Sequence, residues 1–389
     1  MQFKEPTITR IRKATLVLTC SVALVTGVAA CGAVKQITTG EKVGTAFDKL
    51  GDSDSLSVSF SLDATAAQLV SLDQGTSDAM KMVDAKNVAG LGATLTLSAD
   101  KPLSQALKSV QTSAGGTIDP TTDPSLSFDL EVHAGGQKSL FEVRQVGGLE
   151  YLRINLDNVL SLSDDADVNQ EISGMQAELG QMPPQYAPLK DLLLGKWVSL
   201  DPKQFAQVAK GMEGGSGTSA LPSSVPSISA ATKNSLISSL TSLFEQDVTL
   251  SDQGTANGLD HIVVQGPEAK LAAGIQQAFA PVAKALPGGV ASSYPTAAPT
   301  GVPNKNVSAD LYIGKDGSLS KVAFDFWQLN PKGKAGEHLP ISLTFNDQAA
   351  APTAPTGAVA VPPSLLTSLA QSISSAAAAG TSSSGSSNS

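Results

Sequence analysis

The sequence predicts an α+β fold: a large, curved antiparallel sheet with helices packed on its concave face. Three observations lead there. Apolar and small polar residues alternate with period two in many short segments, as in half-buried strands. Gly-Gly pairs and a Lys-Asp-Gly turn separate neighbouring segments closely enough for antiparallel hairpins. Apolar stripes at helical spacing lie between the strand groups, and a sheet with one apolar face needs such a cover.

The first element is an export signal. Lys4, Arg10, Arg12 and Lys13 precede an uncharged run from Ala14 to Ala30, which matches a basic n-region followed by an apolar h-region. The run falls short of the ~20 residues of a spanning helix. It ends Val28-Ala29-Ala30-Cys31-Gly32. Small residues directly before a cysteine at this place resemble a bacterial lipobox, in which the chain is cut before the cysteine and the thiol is joined to diacylglycerol. Cys31 is then the lipidated residue, residues 1–30 are the signal peptide, and 31–40 are a tether. A plain signal cut near Ala30 and an uncleaved anchor helix are the alternatives. Cys20 would leave with the signal, so the mature chain would hold no disulfide.

The body follows over 41–350. A helix is expected around Val43 to Leu50. Leu56, Val58, Phe60 and Leu62 alternate with serines, and Ala93, Leu95 and Leu97 alternate with Thr94, Thr96 and Ser98. Leu126, Phe128, Leu130 and Val132 form a third strand. Phe141–Val146 and Tyr151–Asn155 follow it, with turns at Gly135-Gly136 and Gly147-Gly148. Later strands are expected at 197–200, 246–252, 259–265, 307–314, 319–328 and 340–346. Val322, Phe324 and Phe326 should share one face, as should Ile341, Leu343 and Phe345. Helical stripes run through Ile172, Met175 and Leu179; through Phe205, Val208, Ala209 and Met212; through Leu236, Ile237, Leu240, Leu243 and Phe244; and through Leu271, Ile275, Phe279 and Val282. Pro281 should end or kink the last of these. Segments 213–228 and 287–305 read as long surface loops. Residues 351–389, rich in Ala, Pro, Thr, Ser and Gly, read as a low-complexity and mostly disordered tail. Within it, 363–379 has the pattern of one weak helix.

Composition excludes several function classes. The 389 residues are 41% hydrophobic, 16% charged and 4% aromatic, with a net charge of -9. No local basic stripe offsets that charge, which argues against nucleic acid as a partner. Loss of residues 1–30 leaves 22 basic and 34 acidic residues, a net charge of -12. An acidic body gains nothing from an anionic membrane surface, so membrane attachment falls to the acyl chains, and two or more are needed for stable anchoring.

Catalytic and metal motifs are weak. His133, His261 and His338 stand apart from one another and from cysteine, whereas zinc wants clustered donors. Asp165-Ala-Asp167-Val-Asn169 opens like a calcium loop, but Gln170 replaces the turn glycine and Gln176 the bidentate acid. Ser98…Lys101 and Ser318…Lys321 match Ser-x-x-Lys without its companion motifs and without opening a helix. Neither metal nor cofactor is expected beyond the diacylglycerol or fatty acid on Cys31, and no enzyme activity is expected. Trp197 and Trp327 are rim or core aromatics, or ligand contacts.

The order of elements adds one resemblance. A lipobox and helix lead to Val146-Gly-Gly-Leu-Glu-Tyr-Leu-Arg153, Gly195-Lys-Trp-Val-Ser-Leu-Asp201 and Gly258-Leu-Asp-His-Ile-Val-Val-Gln-Gly266. Leu311-Tyr-Ile-Gly-Lys-Asp-Gly317 and Ile341-Ser-Leu-Thr-Phe-Asn-Asp347 complete the series. Across 41–350 this resembles the actinobacterial lipoproteins of the LppX/LprG type, with extra length at 161–194, 213–228, 287–305 and the tail. The resemblance implies a LolA-like half-open barrel whose helices close a hydrophobic cavity, and a role in carrying lipid or glycolipid at the cell envelope. It also implies a position on the extracytoplasmic face of the bacterial cell membrane. A monomer is expected. The apolar strand face supplies the candidate ligand residues: Phe60, Phe128, Leu130, Ile154, Phe324, Phe326, Leu343 and Phe345. Such a face is a lipid pocket if it is left unfilled and a core if it is filled. In the second case the chain is a structural or interaction lipoprotein of the envelope, without a small-molecule ligand.

Overall fold

Period-two segments become strands because each can turn its apolar side inward while its backbone pairs with neighbours. In the computed structural model, among the described residues, they form one sheet of twelve strands. The structure describes residues 34–72, 79–106, 125–135, 138–162, 181–204, 246–285, 305–330, 333–334 and 336–368, with a few single positions between them. Cys31, the signal, the loops 213–228 and 287–304, and the stripes at 205–212 and 236–244 lie outside the described residues or nearly so. The same holds for most of the 165–179 stretch and for 369–389.

The strands are β1 (Ser55–Leu62), β2 (Gly92–Ser98), β3 (Ser127–Ala134), β4 (Lys138–Val146), β5 (Leu149–Ile154), β6 (Val198–Leu200), β7 (Thr249–Ala256), β8 (Leu259–Pro267), β9 (Asn306–Ile313), β10 (Leu319–Asp325), β11 (Pro340–Asn346) and β12 (Val359–Ala360). Their order is β12-β6-β5-β4-β3-β2-β1-β11-β10-β9-β8-β7. Two meanders, β1 to β6 and β7 to β11, are thus joined by the antiparallel pairing of β1 with β11. Among the described residues only the β12–β6 pair is parallel. The sheet is open, with β12 and β7 at its edges. The β4–β5 hairpin closes on Gly147 and Gly148, both at positive φ. Asn257 and Gly258 do the same between β7 and β8, the backbone that a two-residue hairpin requires.

The register places Phe60 opposite Leu343 and Ala93, Leu95 opposite Leu130, Leu97 opposite Phe128, and Phe141 opposite Ile154. One face is therefore mainly apolar from β10 through β1 to β5, interrupted by the buried Gln145 opposite Phe128 and by Glu150. The other carries Ser57, Ser59, Thr94 and Thr96, and hydroxyl pairs such as Ser59–Thr94 at 3.0 Å link β1 to β2. Helix α1 (Val34–Asp52) covers part of the apolar face. Val43, Ala46 and Leu50 recur along one side of it and pack into the main core with Leu56, Val58, Ile262, Leu311, Ile313 and Leu319. Lys49 in its last turn bonds the carbonyl of Asp316, where the C-terminal end of the helix dipole favours a cation. The short helices α2 (Ala66–Leu72) and α3 (Met82–Val88) form a second cluster around Ala64, Leu69 and Ala85 at the end of β1. Helices α4 (Leu156–Leu160) and α5 (Ala187–Leu193) flank β4, β5 and β6, and α6 (Glu268–Ala285) follows β8.

Four expectations need correction. Helix α1 begins at Val34, so the expected tether 31–40 is helical over most of its length. Strand β10 ends at Asp325 and does not reach 328, because the Asp325 carboxylate caps the N–H of Trp327 and turns the chain into a 3-10 helix at Phe326–Leu329. Pro281 does not end α6, which continues to Ala285. One lost backbone bond is tolerated in a helix that buries Ala278. Residues 351–368, assigned to the tail by composition, contain β12 and the buried Leu365.

Candidate functional site

Seven of the eight candidate ligand residues lie on the apolar face of the sheet. Phe60 (β1), Phe128 and Leu130 (β3), Ile154 (β5), Phe324 (β10), and Leu343 and Phe345 (β11) are brought there by the register. Phe326 is the exception. It stands on the 3-10 turn after β10 and is 43% exposed, although its ring meets that of Phe324 edge-on at 6.3 Å. The face divides into two parts. Leu343 and Phe345 pack against the core beneath α1 together with Leu97, Val264 and Val322. Phe60, Leu95, Phe128, Leu130, Val143, Leu152, Ile154 and Phe324 belong to neither buried cluster and are only half-buried. They form an apolar strip crossing from β10 to β5.

The polar face carries a second constellation that no sequence motif marks. Glu142 is 4% exposed. Its Oε1 accepts from Arg144 Nη2 at 2.6 Å, and its Oε2 accepts from Arg153 Nη2. Arg144 Nη2 also reaches Asp129 Oδ2 at 2.8 Å. Both guanidiniums lie over the Trp197 ring, 5.0 Å (Arg144) and 4.9 Å (Arg153) from its centroid. Stacking of this kind contributes about 0.5–2 kcal/mol per pair. The signal for this cluster was in the hairpin. A two-residue turn at Gly147-Gly148 sets Glu142 opposite Arg153 and Arg144 opposite Tyr151, and alternation puts Glu142 and Arg144 on one face.

Burial, then the neighbouring Glu142 charge, pushes the Asp129 carboxyl up to about 6 despite Arg144. Its Oδ1 is buried without a hydrogen bond. Between the ordinary value of 3.8 and about 6 the folded chain binds this proton and the unfolded chain does not, so this group's contribution to stability falls as pH rises through that window. Asp129→Asn mimics the protonated acid. It should raise the melting temperature at pH 7.5 and leave it unchanged at pH 4. Equal melting curves at both values would show that Asp129 ionises without penalty.

Two of the three histidines each meet one carboxylate. His261 Nε2 meets Asp310 Oδ1 at 2.7 Å and stacks on Tyr312 at 4.9 Å. His338 Nδ1 meets Asp325 Oδ2 at 2.6 Å. Burial raises Asp325, but His338 and the N–H groups of Leu339 and Trp327 hold its carboxyl below the usual range. Trp327 Nε1 donates to Glu337 at 2.9 Å. Among the described residues no three His, Cys, Asp or Glu side chains are grouped to hold a metal, and no helix is long and apolar enough to cross a membrane. No protein-family model matches the chain, and no curated protein matches it.

Proposed function

We propose that the chain is a membrane-anchored exported lipoprotein that binds a lipid or other amphiphile against the apolar face of its sheet. The observation that supports this reading is the half-buried strip of Phe60, Leu95, Phe128, Leu130, Val143 and Ile154 beside a filled core. A half-buried apolar surface gains about 25 cal/mol for each further Å² removed from water, and each acyl methylene buried against it adds ~0.8 kcal/mol. Binding of this kind needs no reacting group, so the chain acts as a carrier and not as a catalyst. The resemblance to LppX/LprG-type lipoproteins points the same way, with a LolA-like curvature that would turn the strip inward. Diacylglycerol on Cys31 would hold a monomer on the extracytoplasmic face of the membrane.

Two measurements test the reading. The mature chain carrying Cys31→Ser should bind a fluorescent long-chain fatty acid saturably, and Leu130→Glu should abolish that binding while the circular dichroism spectrum stays that of the parent. A folded parent that binds no acyl probe would leave the envelope-interaction reading, with function on the loops. In cells, the native chain should incorporate labelled fatty acid and Cys31→Ser should not; labelling of the variant would place the anchor elsewhere.

A further inference from the structure

The segment after β11 leaves one meander and ends on the far edge of the other. Seven strand spacings separate β11 from β12 in the sheet, about 34 Å at ~4.8 Å each. The thirteen residue steps from Asn346 to Val359 span about 40 Å when extended as polyproline II. They cross on the polar face, where Arg144 Nη1 donates to the carbonyl of Thr353 at 2.8 Å. The segment then docks on β6 in parallel. Val359 N–H donates to Trp197 O at 3.0 Å and Val361 N–H donates to Ser199 O at 2.9 Å.

These contacts are those of a bound peptide. Alternate backbone N–H groups give the affinity, as when an extended segment adds to a sheet edge. Most residues from 350 to 364 are exposed or half-buried, and Leu365, 3% exposed, is the apolar anchor. The receiving surface is complete without them. Arg144 keeps Asp129 and Glu142, Trp197 keeps both guanidiniums, and β6 keeps its antiparallel partner β5. What withdrawal would expose is an edge with free donors and acceptors, a ready template for another strand.

We propose that the outer edge of β6, with the Arg144–Trp197–Arg153 shelf beside it, is a binding site for an extended Ala/Pro/Thr/Val peptide. Residues 349–365 fill it as an exchangeable ligand in cis, and the same segment of a second copy can replace them. This inference does not depend on lipid binding. The test uses the full mature chain with a protease site inserted in the turn at Asp347-Gln348. After cutting, a labelled peptide of residues 349–368 should exchange into the core saturably and be displaced by unlabelled peptide. A peptide with Val359→Pro lacks the N–H that meets Trp197 O and should bind at least tenfold more weakly. Arg144→Ala in the core should weaken binding of the unmodified peptide. Unfolding of the cut core, retention of the original segment without exchange, or equal binding of the proline peptide would each overturn the proposal.

Discussion

Ile262→Ala is expected to lower the unfolding free energy by about 3–4 kcal/mol, near the middle of the range for large-to-small changes in a core. Ile262 is 0% exposed and sits on β8 among Val43, Ala46 and Leu50 of α1 and Leu311 of β9. This is where the first helix meets the second meander, so a cavity there loosens elements distant in sequence. The lost transfer energy and the unfilled cavity both contribute, because close-packed neighbours relax only in part. Ile262→Val removes one methylene and should cost only ~1 kcal/mol. Urea denaturation of the Cys31→Ser chain measures both. A loss below ~1 kcal/mol for the alanine variant would mean that Ile262 is not enclosed in the core beneath α1.

Glu142→Gln should cost about 3 kcal/mol, the low end for breaking a buried ion pair by removing one partner. The carboxylate lies between two guanidiniums. Without its charge Arg144 retains Asp129, while Arg153 retains the Trp197 ring and a weaker hydrogen bond to Ser139 at 3.4 Å. The loss should fall when Arg153→Met is added, since the charge left without a partner is then absent. Thermal and urea denaturation of the single and double variants form the cycle. If the single variant loses less than ~0.5 kcal/mol, the cluster is behaving as solvent-screened surface charge.

Much of the sheet was legible because alternation is a local property. The serines of β1 and the threonines of β2 mark the polar face one residue at a time, and glycines at positive φ mark the hairpins. Where an element's identity depended on a partner, local reading failed. Helices α2 and α3 are seven residues each, too short for a periodic stripe, and are held by packing on one another. The strand expected to reach 328 stops at Asp325 because one carboxylate meets the N–H of Trp327 and also that of Leu339, fourteen residues away. Strand β12 was read as tail because its pairing uses backbone N–H groups, which leave no side-chain signature. The Glu142–Arg153 pairing was within reach, since the turn alone sets its register. Arg144 meeting Asp129 needed the β3–β4 register, which shifts by one residue at Val132/His133.

By itself the sequence determined the α+β class, most strand positions, the apolar side of β1, β2, β3, β10 and β11, and seven of the eight residues placed on that face. Those follow from period-two alternation and turn chemistry, which act over a few residues. The tertiary structure decided the rest. It joined β1 to β11 across nearly the whole body and filled one part of the apolar face with α1 while leaving the strip from Phe324 to Ile154 half-buried. It also carried the C-terminal segment over the arginine–tryptophan shelf to the β6 edge. The physical reason is separation along the chain. A side chain's direction is set by its neighbours in sequence, but its cover and its charge partner come from elements tens to hundreds of residues away, brought together only when the sheet closes its register.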